Sequence, residues 1–189
     1  MKKIIVAITG ASGSVYAVDL LQKLQGRPDV EVHGVVSRWA WENIRLETSL
    51  TETEVRELMT VCYEEEDLGA AIASGSFLTD GMVIVPASMK TVAGIAHGFS
   101  ESLIGRAADV MLKEQRRLIL VPRETPLSAI HLENLTKLAR LGVVIAPPMP
   151  AFYTQPQTIH DLVSRQTDRL LDLLGLPAEG AVRWQGGAQ

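Results

Sequence analysis

Arg123 and Glu124 stand side by side in VPRETPL, directly after the apolar run LILV and between Pro122 and Pro126. Prolines fix the backbone on either side, so the two charges are held stiffly at a strand tip. A surface ion pair in a turn is the plain explanation. A place at the ligand end of a sheet favours a functional one. A second candidate lies near the start, where KIIVAI runs into Thr9-Gly10-Ala11-Ser12-Gly13-Ser14. A glycine turn that feeds a helix offers amide donors and a favourable dipole to an anion. The spacing is G-x-x-G, without the G-x-G-x-x-G of dinucleotide binders or the Gly-Lys-Ser/Thr of phosphate loops. The second strand ends in Ser37, where a dinucleotide binder carries an acidic residue for the ribose. These features fit a mononucleotide such as FMN better than NAD. A tight turn without a ligand is the alternative.

Other candidates follow apolar runs in the same way. GMVIV ends in Pro86-Ala87-Ser88-Met89-Lys90-Thr91, a hydroxyl-rich turn that suits a phosphate or a flavin edge. PPMPAFY, at 147–153, combines three prolines with Phe152 and Tyr153 into a rigid apolar wall. Arg106, Asp109 and Lys113 share one face of a helix by their spacings of three, four and seven. By pattern alone they read as a solvated stripe, and so does Arg169. His33, His97, His131 and His160 have no metal-ligand spacing and read as structural.

Continuous apolar strands must place these groups. Strands are expected at Lys3–Ile8, Glu31–Val36, Gly81–Val85, Leu118–Val121 and Val143–Ala146. Helices are expected over 15–24, Trp39–Leu46, Thr51–Thr60, Thr91–His97, Ser102–Gln115, Leu127–Leu141 and Ile159–Leu174, with a capping box at Thr51 and Glu54. Such alternation predicts a three-layer α/β fold, a Rossmann-like or flavodoxin-like parallel sheet with helices on both faces. Ligands of these sheets sit beyond the strands' carboxyl ends. The 189 residues, 47% of them hydrophobic, suit a single domain over 1–189 with a tail from about 176. One cysteine, Cys62, excludes an intrachain disulfide. The net charge of −4 speaks against nucleic acid as the main partner. No apolar run reaches membrane-spanning length, and a cytoplasmic protein is expected.

Taken together, TGASG, SGSFLTDGMVIVPASMKT, RAADVMLKE, LVPRETPL, HLEN, PPMPAFY and the C-terminal RLLDLLG…RW resemble the UbiX-like flavin prenyltransferase family from about Lys3 to Trp184. The similarity is greatest to the branch encoded beside hydroxyarylic (phenolic) acid decarboxylases. Two departures are Ala87, where that branch usually has Cys, and GASG in place of GATG. The resemblance implies transfer of a dimethylallyl group from dimethylallyl phosphate to N5 and then C6 of reduced FMN. The product serves a UbiD-type decarboxylase, and the protein is expected to be a homododecamer with sites at subunit contacts. FMN would take Gly10, Ala11, Ser12, Ser37, Ser88, Met89, Lys90, Thr91 and Arg123. Arg106, Lys113, Arg123, Tyr153 and Arg169 would stabilise the leaving phosphate, which overrules the solvated reading of Arg106, Lys113 and Arg169. Trp184 and Tyr153 would present π faces to an allylic cation. Glu124 would move protons during ring closure, with Glu47 a further carboxylate. There is no Asp-rich motif for Mg²⁺ and diphosphate, which agrees with a metal-free reaction on a monophosphate.

Two other readings stand beside it. A flavin-dependent cysteine decarboxylase would carry a histidine near the first turn, and none lies near Gly13. A non-catalytic FMN-carrying accessory subunit of a phenolic acid decarboxylase would not need Glu124, Lys113, Tyr153 and Arg169 together.

Overall fold

The computed structural model describes residues 1–178 together with 180, 181, 183, 184 and 186. Six strands form one parallel sheet: β1 (Lys2–Ile8), β2 (Val30–Val36), β3 (Val61–Tyr63), β4 (Gly81–Ala87), β5 (Leu118–Pro122) and β6 (Val144–Ile145). The helices are α1 (Ser14–Gln25), α2 (Arg38–Glu47), α3 (Glu52–Glu57), α4 (Met89–Ala96), α5 (Leu103–Lys113), α6 (Ala129–Arg140) and α7 (Ile159–Leu173). The strand order is β3-β2-β1-β4-β5-β6. Without its short edge strand β3 the sheet has the 2-1-3-4-5 order of flavodoxin-like folds, and with it the Rossmann order. The expected α/β class is borne out.

The layers follow from strand alternation. Ile4, Val6 and Ile8 point to the side covered by α1, α2, α3 and α7, with Leu20, Leu21, Leu24, Leu170 and Leu171. Ile5 and Ala7 point to the side covered by α4, α5 and α6, with Val92, Leu103, Ile104, Met111 and Leu138. All are essentially inaccessible to water, and burying each large aliphatic side chain contributes about 1.5–3 kcal/mol.

Two elements differ from the sequence expectation. The helix expected over Thr51–Thr60 stops at Glu57, because Val61–Tyr63 pairs beside His33–Val35 as the edge strand. Its Thr51–Glu54 capping box is formed. A short 3₁₀ turn at Ala71–Ala73 had no periodic signal. Among the described residues no helix is long and apolar enough to cross a membrane. The expected C-terminal tail lies partly outside the described residues.

Candidate functional site

The turns at the strands' carboxyl ends are tied to one another. Ser37 N–H donates to Ile8 O (2.9 Å) and Thr9 N–H to Pro86 O (3.2 Å). The Thr9 hydroxyl donates to Pro86 O and accepts from Ser88 N–H, both at 2.8 Å. Arg123 N–H reaches Ala87 O at 3.3 Å. Thr9 is thus the buried pivot where the sheet order reverses between β1 and β4, the position at which such sheets bind ligands. The ties bring Gly10, Ala11, Ser12, Ser37, Ser88–Thr91, Arg123 and Glu124 to one edge.

The two glycine-rich or hydroxyl-rich turns play different parts. At the first, Glu47 Oε2, from the end of α2, accepts from Gly13 N–H (2.8 Å) and Ser14 N–H (2.7 Å). The protein's own carboxylate therefore fills the anion position at the N-terminus of α1. This corrects the expectation that this helix end offers its amides to a phosphate, and places Glu47 as a cap beside Ser12. Gly13 takes φ 117°, a conformation open to glycine. Gly10 lies under Trp39, whose Cβ would stand 2.7 Å from a Cβ added at position 10. The Ser14 hydroxyl is buried without a partner among the described residues. Burial also raises Tyr16, packed beneath Gly13, above the ordinary tyrosine pKa.

At the second turn Ser88 caps α4. Its Oγ accepts from Thr91 N–H (3.3 Å) and pairs with Thr91 Oγ1 (3.0 Å). The amides of Met89 and Lys90 have no acceptor among the described residues, as is usual in a first helical turn. Two free amides, two hydroxyls, the Lys90 ammonium and the Arg123 guanidinium make this the turn that fits a flavin phosphate. Ser37 is the N-cap of α2, accepting from Ala40 N–H at 3.3 Å. Arg123 and Glu124 are both exposed. Glu124 Oε1 accepts from Thr125 N–H (2.9 Å), and no ion pair joins it to Arg123 among the described residues.

A second group gathers around α7. This helix follows the loop after β6 and ends beside β1, where Lys2 Nζ donates to Gly175 O at 2.8 Å. Tyr153, Arg165, Gln166, Arg169, Asp172 and Arg183 line a cavity of about 240 Å³. Tyr153 and Trp184 meet edge to face, with ring centroids 5.4 Å apart. Arg183 clasps Asp172 through two bonds of 2.6 and 2.7 Å, which holds that carboxyl below the usual carboxylate range. Tyr153, Arg169 and Trp184 are thus brought together. Lys23 orients the helix from α1. Its ammonium donates to Ser164 O (2.7 Å), Thr167 Oγ1 (2.8 Å) and Asp168 Oδ1 (2.6 Å), and lies 3.1 Å from Asp19.

Arg106 and Lys113 belong to neither group within this chain. Both are exposed on α5, across the sheet from α7, together with Asp109. Helix α5 returns toward the start of β5, so Lys113 stands at the end of the layer away from the strand tips, 3.8 Å from Glu114. Three of the four histidines make contacts within the fold. His33 meets Tyr63 OH (2.9 Å), His97 meets Asn134 (3.0 Å) and His131 serves the Ser128 cap. Sequence reading missed Thr9, Trp39, Lys23, Arg165 and Arg183. Only Arg165 carries a signal, its spacing of four from Arg169.

The family model described as Flavoprotein matches residues 1–170. The flavin prenyltransferase LpdB of Lactiplantibacillus plantarum is 63% identical over 186 residues, 98% of this chain and 100% of that protein. This chain belongs to the UbiX-like flavin prenyltransferase family. A crystal structure described as a dodecameric FMN-dependent UbiX-like decarboxylase from Escherichia coli O157:H7 superposes with a TM-score of 0.96 at 52% identity, covering 97% of this chain and 100% of that one. A second, AnUbiX (PadA1) in complex with FMN and dimethylallyl pyrophosphate, gives a TM-score of 0.96 at 47% identity, with 99% of each chain covered.

Proposed function

We propose that this chain transfers a dimethylallyl group from a dimethylallyl phosphate ester to N5 and C6 of reduced FMN. The observation that carries the reading is the tying of four strand-end turns into one edge, with an open phosphate cradle at α4 and Glu124 beside it. The Ser88–Thr91 turn and Arg123 hold the FMN phosphate, while Gly10, Ala11, Ser12 and Ser37 line the ring side. Reduced FMN supplies the nucleophilic nitrogen and the electron-rich ring.

Tyr153 and Arg169 take the phosphate of the prenyl donor, donating to the oxygens on which charge accumulates as the C–O bond breaks. The π faces of Tyr153 and Trp184 attract the developing allylic cation. Glu124 moves the proton that ring closure at C6 releases, and Glu47 keeps the first turn shaped for the ring. Arg106 and Lys113 reach a donor phosphate only from a neighbouring copy of the chain. A homododecamer like that of the Escherichia coli relative supplies such a neighbour. The product is consumed by a UbiD-type decarboxylase that depends on prenylated flavin.

The test is anaerobic. Purified protein, reduced FMN and a dimethylallyl phosphate ester are mixed, and the released flavin is weighed by mass spectrometry. The expected product is heavier than FMN by one C5H8 unit. Unmodified, tightly held FMN with both the mono- and the diphosphate donor would instead identify an accessory flavin carrier.

A further inference from the structure

The chain beyond α7 turns back on its own helix, and local bonds fix the turn. Gly175 takes φ 72°, its N–H donates to Asp172 O (3.0 Å), and Leu176 N–H donates to Leu171 O (2.9 Å). This is a Schellman ending, with a left-handed glycine just past the helix. Lys2 Nζ holds Gly175 O at 2.8 Å, and Arg27 Nη1 holds the carbonyls of Leu176 and Pro177, each at 3.2 Å. Leu176 is buried in the core beside Leu171. The direction in which the segment leaves α7 is therefore set.

Further on, Arg183 comes back to the same helix. Its Nη1 and Nη2 donate to the two carboxylate oxygens of Asp172 at 2.6 and 2.7 Å, the two-pronged geometry that makes such pairs strong and directional. Trp184, the next residue, meets Tyr153 with ring centroids 5.4 Å apart and planes at 89°. Tyr153 arrives on the loop after β6, where Thr154 O accepts from Arg165 of α7 at 3.1 Å. Each ring is thus tied to α7 by the residue next to it. Both rings are exposed. An aromatic pair with so little burial does not by itself hold two separate segments in register. The side chain that fixes where Trp184 stands is Arg183.

We propose that Arg183 and Asp172 are positioning residues, a clasp that seats the Trp184 indole on Tyr153 and completes the aromatic side of the cavity. The proposal rests on the prenyl-transfer reading above, in which these two rings meet the allylic cation. The attraction between a cation and a ring requires the ring face within about 6 Å of the charge. An indole that swings freely on its backbone loses that stabilisation when the C–O bond breaks. Both prongs of the Arg183 fork are filled by Asp172. The pair therefore acts through Trp184, without touching the donor.

The experiment measures kcat and KM in the full-length protein, with reduced FMN and whichever dimethylallyl ester the wild type turns over. Arg183→Gln and Asp172→Asn should each lower kcat about tenfold, the scale of one cation–π contact, with KM for the donor near the wild-type value. Arg183→Lys keeps a charge for Asp172 and should recover part of the loss. In a Trp184→Leu background Arg183→Gln should cost nothing further, because its effect passes through the indole. A loss of the same size in that background would overturn the proposal. So would an unchanged kcat, or a rise in KM at constant kcat, which would put Arg183 on the donor itself. If the wild type modifies FMN with neither the mono- nor the diphosphate ester, the prenyl-transfer reading fails, and fluorescence decides on the clasp separately. Trp39→Phe and Trp41→Phe leave Trp184 as the sole tryptophan. Acrylamide quenching that rises when Arg183→Gln is added supports the clasp, and unchanged quenching refutes it.

Discussion

The strand-end edge and the α7 cavity are built on opposite plans. At the edge, most polar groups are satisfied by their neighbours, and the turn at the start of α4 is left open. Thr9 ties two strands, Ser88 and Ser37 cap their helices, and Glu47 occupies the amides of α1. In the cavity, Lys23 and Arg183 each engage a carboxylate, and Arg165 and Arg169 form no ion pair within 4 Å among the described residues. On the proposed reading, the first plan shapes the flavin side and the second offers positive potential to the donor phosphate. Preorganisation by backbone and caps serves position, and preorganisation by unmatched charge serves a leaving group.

That contrast can be tested one region at a time. The largest effect is expected from Glu124→Gln, which keeps the shape of the edge and removes the carboxylate proposed to move the proton. kcat should fall by at least about a hundredfold, with FMN affinity nearly unchanged by fluorescence titration. A loss of FMN binding of the same size would show that Glu124 belongs to the shape and not to the chemistry.

Lys23→Met should strike the cavity from behind. It strands Asp19 and Asp168 and costs about 2–3 kcal/mol, read as a lower denaturant midpoint. Asp168 is then free to neutralise Arg165 and Arg169, so KM for the donor should rise while FMN affinity holds. Thr9→Val should do the reverse. Loss of the pivot hydroxyl leaves Ser88 N–H unpaired, costs about 1–3 kcal/mol, and should weaken FMN binding while KM for the prenyl donor stays at the wild-type value.

His33 provides a control outside both regions. Burial holds its pKa below the ordinary value of about 6.5, despite the Glu31 carboxylate 3.1 Å away. The unfolded chain therefore binds this proton first, and stability should decline as pH falls below about 6.5. Melting temperatures of the wild type and His33→Asn should converge as the pH is lowered through that range. The smallest effect belongs to Ser14→Ala. Removing a buried hydroxyl without a partner should raise stability by a few tenths of a kcal/mol to about 1 kcal/mol, and a drop would reveal a partner for that hydroxyl.

Much of this was legible in the chain. Five of the six strands declare themselves as apolar runs, and each run ends at a turn that the fold gathers to one edge. β3 escaped because Val61–Tyr63 is three residues long and pairs on one side only, too short for a period to register. Thr9 escaped because its hydroxyl acquires meaning only when β4, more than seventy residues later, lies beside β1. Glu47 was visible as a carboxylate matching the family, but its role as the cap of α1 depends on how α2 crosses the first turn. The stripe of Arg106 and Lys113 is solvated in this chain, as its pattern alone suggests, and any site it serves lies with another copy.

The sequence by itself determined the parallel α/β architecture, the family and the turns that face the ligand, because hydrophobic period and turn chemistry act over a few residues. Only the tertiary structure decided which anion position was already filled and which carboxylates Lys23 and Arg183 engage. Both depend on contacts between α1, α2 and α7, where a carboxylate's charge is spent on whichever donor the packing brings within about 3 Å.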